Sequence, residues 1–151
     1  MIRIYLAGGW KDKTKKGWQE SVIYELERRL EKRGSYGHVD GITAYNPKAR
    51  KTDSPQVYTW ADLQEVGMSD IVFVCLEDSN LAGQGLALEV GYAYAKGIPV
   101  VMFDGQPDNH YFDMVRFCSM ARSITFDVAI DYLWEFCRVL NSKKQKEKEG
   151  D

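Results

Sequence analysis

Residues 70–76 read DIVFVCL. After the aspartate all six side chains are apolar, with no alternation between polar and apolar positions. A strand with one face in water alternates, whereas a strand covered on both faces does not, and such strands belong in the middle of a parallel sheet. This segment therefore predicts an α/β protein.

Upstream, Ile2 to Ala7 reads as a short strand ending at Gly8-Gly9. Trp18, Val22, Leu26 and Leu30 recur every four residues, with Ile23 beside them, and mark one face of a helix that ends in basic residues and Gly34. Residues 41–45 (GITAY) form a second strand closed by Asn46-Pro47, and KARKTDSP is loop. Ser54-Pro55 supplies an N-cap and a first-turn proline for a helix through about Val66.

Downstream, the polar stretch EDSNLAG leads to a helix over Leu86–Lys96 that Gly97 caps. Ile98 to Phe103 is a fourth strand, Asp104 to Asn109 a loop, and Tyr111 to Cys118 a helix. SITF at 123–126 reads as a fifth strand, and Asp127 caps a last helix carrying Ile130, Leu133, Trp134, Cys137 and Leu140. The folded domain is expected over 1–141, with 142–151 a charged, disordered tail.

Strands alternating with helices over short loops imply right-handed crossovers. For five strands the expected fold is flavodoxin-like, a doubly wound parallel sheet in the order 2-1-3-4-5. Ligands then bind beyond the carboxyl ends of the strands, where the winding reverses between strands 1 and 3. The loop after strand 1 (Gly8, Gly9, Trp10) and the loop after strand 3 (Glu77 to Gly85) should line that crevice. Asp62, two turns into the helix after strand 2, and Glu89, early in the helix after strand 3, should open toward it.

Composition narrows the function. The 151 residues carry a formal net charge of −2, so no basic footprint points to a nucleic acid polymer. The cluster Lys11, Lys13, Lys15 and Lys16 reads first as a solvated helix approach. Cys75, Cys118 and Cys137 form no CxxC, and His38 and His110 have no ligand spacing, so neither a disulfide framework nor a metal site is expected. No apolar stretch approaches membrane length and MIRIYLAGGW lacks signal architecture, so the expectation is a reduced, cytoplasmic protein without membrane contact.

The familiar phosphate motifs are absent. Gly8-Gly9-Trp-Lys-Asp-Lys-Thr lacks the Gly-Lys-Ser/Thr ending of a P-loop, and Gly83-Gln-Gly85 is followed three residues later by Leu88 where the dinucleotide fingerprint needs glycine. No Gly-x-Ser-x-Gly elbow occurs. Carboxylates remain. From Leu86 to Ala95 every residue is apolar, aromatic, Ala or Gly except Glu89, near a helix N-terminus whose dipole should help keep it ionised. An acidic residue early in a helix is also common for that reason alone. Two carboxylates at one pocket can divide glycosyl chemistry, one attacking the sugar carbon and one protonating the leaving group. Asp62 is the candidate acid; its plain alternative is a solvent-facing helix residue.

Three blocks, IYLAGGW, Asp62 eight residues before Asp70-IVFV, and GLALEVGYAYAKGIPV, together resemble the nucleoside 2-deoxyribosyltransferase superfamily, which includes related (deoxy)nucleoside 5′-monophosphate N-glycosidases. The likeness spans about residues 2–103. It implies Glu89 as a nucleophile forming a covalent glycosyl ester, Asp62 as the group that hydrogen-bonds the base and shuttles its proton, and Tyr5 as the side chain orienting Glu89. Gly8, Gly9 and Trp10 would wall the substrate, with Asn46, Gly83, Gly85, Phe112 and Met114 as further substrate-binding positions. Asp70 would be structural. The resemblance implies no cofactor, a nucleoside or nucleotide with a free base as small-molecule partners, and a homo-oligomer with shared active sites.

Two positions depart from the pattern. Six residues before Glu89 the transferases carry a carboxylate and the monophosphate glycosidases a serine, whereas this chain has Gly83; Asp78 or Glu77 could substitute. Two residues before Met114, where a polar residue from a neighbouring subunit is usual, stands Phe112, with Asn109 or His110 as alternatives. Base exchange is the first reading. Hydrolysis of a nucleotide is the second, favoured by the lysine cluster, and a nucleotide-binding module without chemistry is the third.

Overall fold

The computed structural model describes residues 1–78 and 83–150. Its strands are β1 (Ile2–Ala7), β2 (Ile42–Tyr45), β3 (Ile71–Leu76), β4 (Val100–Asp104) and β5 (Ala121–Ser123). They form one sheet in the order β2-β1-β3-β4-β5, every pair parallel. All six residues of β3 are buried, as an unbroken apolar run in a central parallel strand requires.

Side chains alternate across the sheet and divide the core in two. Ile2, Ile4, Leu6, Phe73, Cys75 and Val101 face α1 (Trp18–Glu31) and α6 (Phe126–Glu149). Tyr5, Ala7, Val72, Val74, Leu76, Val100 and Met102 face the opposite way, with Val66 from α3 (Pro55–Gly67) and Leu86, Val90 and Ala93 from α4 (Gln84–Ala95). Tyr5 thus belongs to the layer that carries Asp62 and Glu89.

The structure moves several expected boundaries. The first helix stops at Glu31; Gly34 lies within a short α2 (Arg33–Tyr36), and the turn falls at Gly37, whose φ of 85° suits glycine. The 111–118 region divides into a 3-10 turn, His110–Phe112, and α5 (Asp113–Phe117). The fifth strand is Ala121–Ser123 and not SITF. Arg122 reaches Asp104 at the end of β4 (3.0 Å), Ile124 is exposed, and Phe126 opens α6, packed edge-on against Phe103. Asp104, expected in a loop, is fully buried and held by Arg116 and Arg122.

Residues 142–149, expected to be disordered, continue α6 to Glu149. Lys, Gln and Glu are good helix formers, and Lys144 docks on Asp70 (2.7 Å) and the Met1 carbonyl while Gln145 reaches Asp40 (3.1 Å). Asp70 also accepts from the Arg3 amide at 2.8 Å, which ties β1, β3 and α6 together at one end of the sheet. No helix among the described residues is long and apolar enough to cross a membrane.

Candidate active site

Parallel pairing places Tyr5 of β1 directly beside Tyr45 of β2. Residues in register on neighbouring strands point to the same face, and the two rings stack at 5.5 Å with 18° between their planes. Each hydroxyl then meets a carboxylate. Tyr5 donates to Glu89 Oε1 at 2.7 Å, and Tyr45 donates to Asp62 Oδ1 at 3.3 Å. A stacked tyrosine pair therefore carries two acids from two helices at one edge of the sheet. Arg50 completes the group, its Nη1 donating to Asp62 Oδ2 at 3.1 Å.

The electrostatics are those of acids withdrawn from water. Burial pushes Glu89 up to about 7, with the Asp62 charge adding to the rise while the Tyr5 hydrogen bond and Arg50 oppose it. Asp62, only 5% exposed, is also raised by burial, against the pull of Arg50 and Tyr45. The expectation that the helix dipole would hold Glu89 ionised is corrected here. Glu89 lies in the second turn of α4, beyond the first turn where the dipole acts strongly, so desolvation wins. Burial raises Tyr5 far above the ordinary tyrosine range, and the Glu89 charge adds to it, so its hydroxyl remains a donor. Tyr45 is pushed up to about 12, first by burial and then by Asp62.

The loop after β1 brings the backbone close to β3. Gly8 has φ of 148°, and a Cβ there would lie 2.5 Å from the Cys75 carbonyl oxygen, so only glycine fits. The Gly9 carbonyl accepts from the Trp18 indole at 2.8 Å, which fixes the loop and projects Trp10 toward Arg50, 5.3 Å from its ring. Gly83 is the N-cap of α4 and Gly85 lies in its first turn; both are exposed and open, with no contact that demands glycine. Residues 79–82 of the intervening loop lie outside the described residues; of the two alternatives to Gly83, Glu77 lines the cleft beside Trp10 and Trp18, and Asp78 is exposed.

Three further expected substrate positions lie apart from the paired acids' hydrogen bonds. Asn46 accepts from the Lys48 amide at 3.1 Å and caps the 3-10 turn Pro47–Ala49. Phe112 is 3% exposed and belongs to the core beneath α4, so in this chain it is a packing residue. Met114 is 82% exposed on α5. Asn109 caps the turn at His110–Phe112, and His110 pairs with Asp113 at 3.3 Å. Tyr45 and Arg50 were not among the expected residues. Tyr45 had a signal in its place at the end of the strand predicted beside Tyr5; Arg50 stands in a basic loop with no periodicity to distinguish it.

A cavity of about 760 Å³ lies on the α1/α6 side against Trp18, Phe103 and Phe126. The paired acids sit across the sheet from it. Chemistry outweighs volume here, because a buried carboxylate and a partly buried one, both hydrogen-bonded to a stacked tyrosine pair and both raised in proton affinity, mark a functional site better than an open groove does. Among the described residues no three His, Cys, Asp or Glu side chains are grouped to hold a metal ion.

Comparison with known proteins agrees with the fold. A family described as nucleoside 2-deoxyribosyltransferase matches residues 4–143. The fold is similar to that of a 2-deoxyribosyltransferase from Bacillus psychrosaccharolyticus, with a TM-score of 0.58 and 20% identity over 85% of this chain and 90% of that one. It is also similar to a 2-deoxyribosyltransferase from Leishmania mexicana (TM-score 0.53, 18% identity, 89% and 98% covered). A CMP N-glycosidase from Clostridium botulinum shares the fold at TM-score 0.50 and 16% identity, with 87% and 97% covered. No curated protein sequence matches the chain.

Proposed function

The chain belongs to the nucleoside 2-deoxyribosyltransferase family, whose enzymes act on N-glycosidic bonds, and we propose that it exchanges the base of a 2′-deoxynucleoside through a covalent ester on Glu89. The observation that carries this reading is the pair of tyrosine-held acids, Tyr5–Glu89 and Tyr45–Asp62, joined by the stacked rings.

Tyr5 occupies Oε1 of Glu89 and leaves Oε2 for C1′ of the sugar. As the Glu89–C1′ bond forms, the C1′–N bond breaks, its electron pair goes to the base nitrogen, and Asp62 delivers the proton. An acceptor base then attacks C1′ from the opposite face. The ester electrons return to Glu89 and the acceptor's proton passes to Asp62. Two inversions give net retention. Burial suits both roles, since it raises the proton affinity of Asp62 and strips water from the Glu89 nucleophile.

The assembly is proposed to be a homo-oligomer. Trp60 on α3, Leu88 and Tyr94 on α4, and Met114 and Phe117 on α5 are all exposed, and all belong to the helices on the site's side of the sheet. Exposed apolar residues at that density ask for a partner surface.

A second reading, hydrolysis of a nucleoside 5′-monophosphate, is favoured by one feature: a cleft of about 290 Å³ beside Trp10, lined by Lys11, Lys15, Lys16 and Lys48 together with Asp12 and Glu77, Lys48 being paired with Glu20. Incubating the protein with a deoxynucleoside and a different free base, followed by chromatography, separates the two. A new nucleoside supports exchange. Free base and sugar phosphate, released only from nucleotides, supports hydrolysis. Binding without turnover of either leaves a non-catalytic module.

A further inference from the structure

Arg50 lies between the 3-10 turn Pro47–Ala49 and α3, and its guanidinium is unusually constrained. Its Cζ lies 3.9 Å from the centroid of the Tyr58 ring and 5.3 Å from that of Trp10, while Nη1 holds Asp62 at 3.1 Å. Its Nε is buried without a hydrogen-bond partner among the described residues. A guanidinium presents its N–H donors in one rigid plane, and leaving a buried donor unpaired is costly. Two aromatic rings thus fix a planar donor array beside the very carboxylate assigned to the base.

We propose that Arg50 is a specificity-determining residue that, with Asp62, selects bases bearing a carbonyl oxygen next to the ring nitrogen that Asp62 serves, such as 6-oxopurines. The inference rests on Asp62 being the group that contacts the base. A 6-oxopurine sets O6 beside N7, so the oxygen accepts from Arg50 while the nitrogen meets Asp62. The pairing of arginine with an O6/N7 edge is a recurrent recognition mode for purines. A 6-aminopurine sets an NH2 group against the guanidinium, two donors face to face, with one left unpaired.

Calorimetric binding of hypoxanthine and adenine to the full chain tests the assignment without depending on turnover. It is paired with rates for deoxyinosine and deoxyadenosine as donors to a common acceptor base. The wild type is expected to favour the oxo compound by about tenfold or more. Arg50→Gln and Arg50→Lys should each bring the ratio to within about threefold while retaining the circular dichroism of the wild type; the lysine variant keeps the charge near Asp62 but not the planar fork. Equal or reversed binding in the wild type, binding of neither base, or a ratio retained in both variants overturns the assignment. A binding preference without turnover supports Arg50 and overturns the reaction proposed above; turnover without preference does the reverse.

Discussion

The Tyr5 hydroxyl donates to Glu89 Oε1 across 84 residues of sequence at 2.7 Å, joining β1 to α4. Because the tyrosine is fully buried and keeps its proton, the bond is one-directional: it stabilises Glu89 as the anion and opposes the burial that raises its proton affinity.

Removing that donor should therefore move the pH dependence. Hydrogen bonds to charged groups are worth about 1.5–3 kcal/mol, and one pKa unit is about 1.4 kcal/mol. In Tyr5→Phe, the acid limb of kcat/KM, expected near pH 7 from Glu89, should shift upward by about one to two units. Below the limb the protonated, inactive form dominates, so the variant should lose about five- to fiftyfold in rate at pH 7 and recover it in alkali. An unshifted limb would mean that Tyr5 does not act on Glu89.

Glu89 should also cost the fold stability. An unfolded glutamate releases its proton near 4.5, whereas the folded one holds it to about 7. The folded state binds the extra proton in that window, so the stability present below about pH 4.5 is progressively lost up to about pH 7. Glu89→Gln should then be more stable than wild type at pH 8 by roughly 2–4 kcal/mol, and near parity at pH 4.5, in denaturant unfolding. Equal stabilities at pH 8 would show that Glu89 is better solvated than its burial implies.

Phe112 separates a core role from a substrate role. Its truncation to Ala should cost about 3–5 kcal/mol in urea unfolding, because the ring fills the layer under α4. The folded fraction should keep the wild-type KM for substrate. A stable variant with a raised KM would restore Phe112 to the binding site.

Much of this was legible in the sequence, and the failures have physical causes. DIVFVCL fixed the central strand because burial on both faces leaves no room for polar residues, and the order 2-1-3-4-5 followed from alternation with helices. SITF misled because its apolar letters belong partly to an exposed position and partly to the first turn of α6, while pairing is set upstream by Arg122 reaching Asp104. Helix 142–149 escaped because its docking partners, Asp70, Asp40 and the Met1 carbonyl, are distant in sequence. Glu89, Asp62 and Tyr5 stood out as residues out of keeping with their surroundings or as members of recognisable blocks. Arg50 and Tyr45 did not, since a loop arginine and a strand tyrosine look ordinary until tertiary contacts bring them to Asp62. The direction of the Glu89 shift was equally hidden: the dipole is local and can be read from sequence, but the depth of burial cannot.

The central claim is that Glu89 becomes covalently attached to the sugar. Intact-mass spectrometry of the protein mixed with a deoxynucleoside, with no acceptor base present, tests it most directly. The account predicts a mass gain of one deoxyribosyl group, mapped by peptide digestion to Glu89, reversed on adding a free base, and absent from Glu89→Gln. An enzyme that exchanges bases while its mass stays unmodified, or whose label maps to another residue, would contradict it.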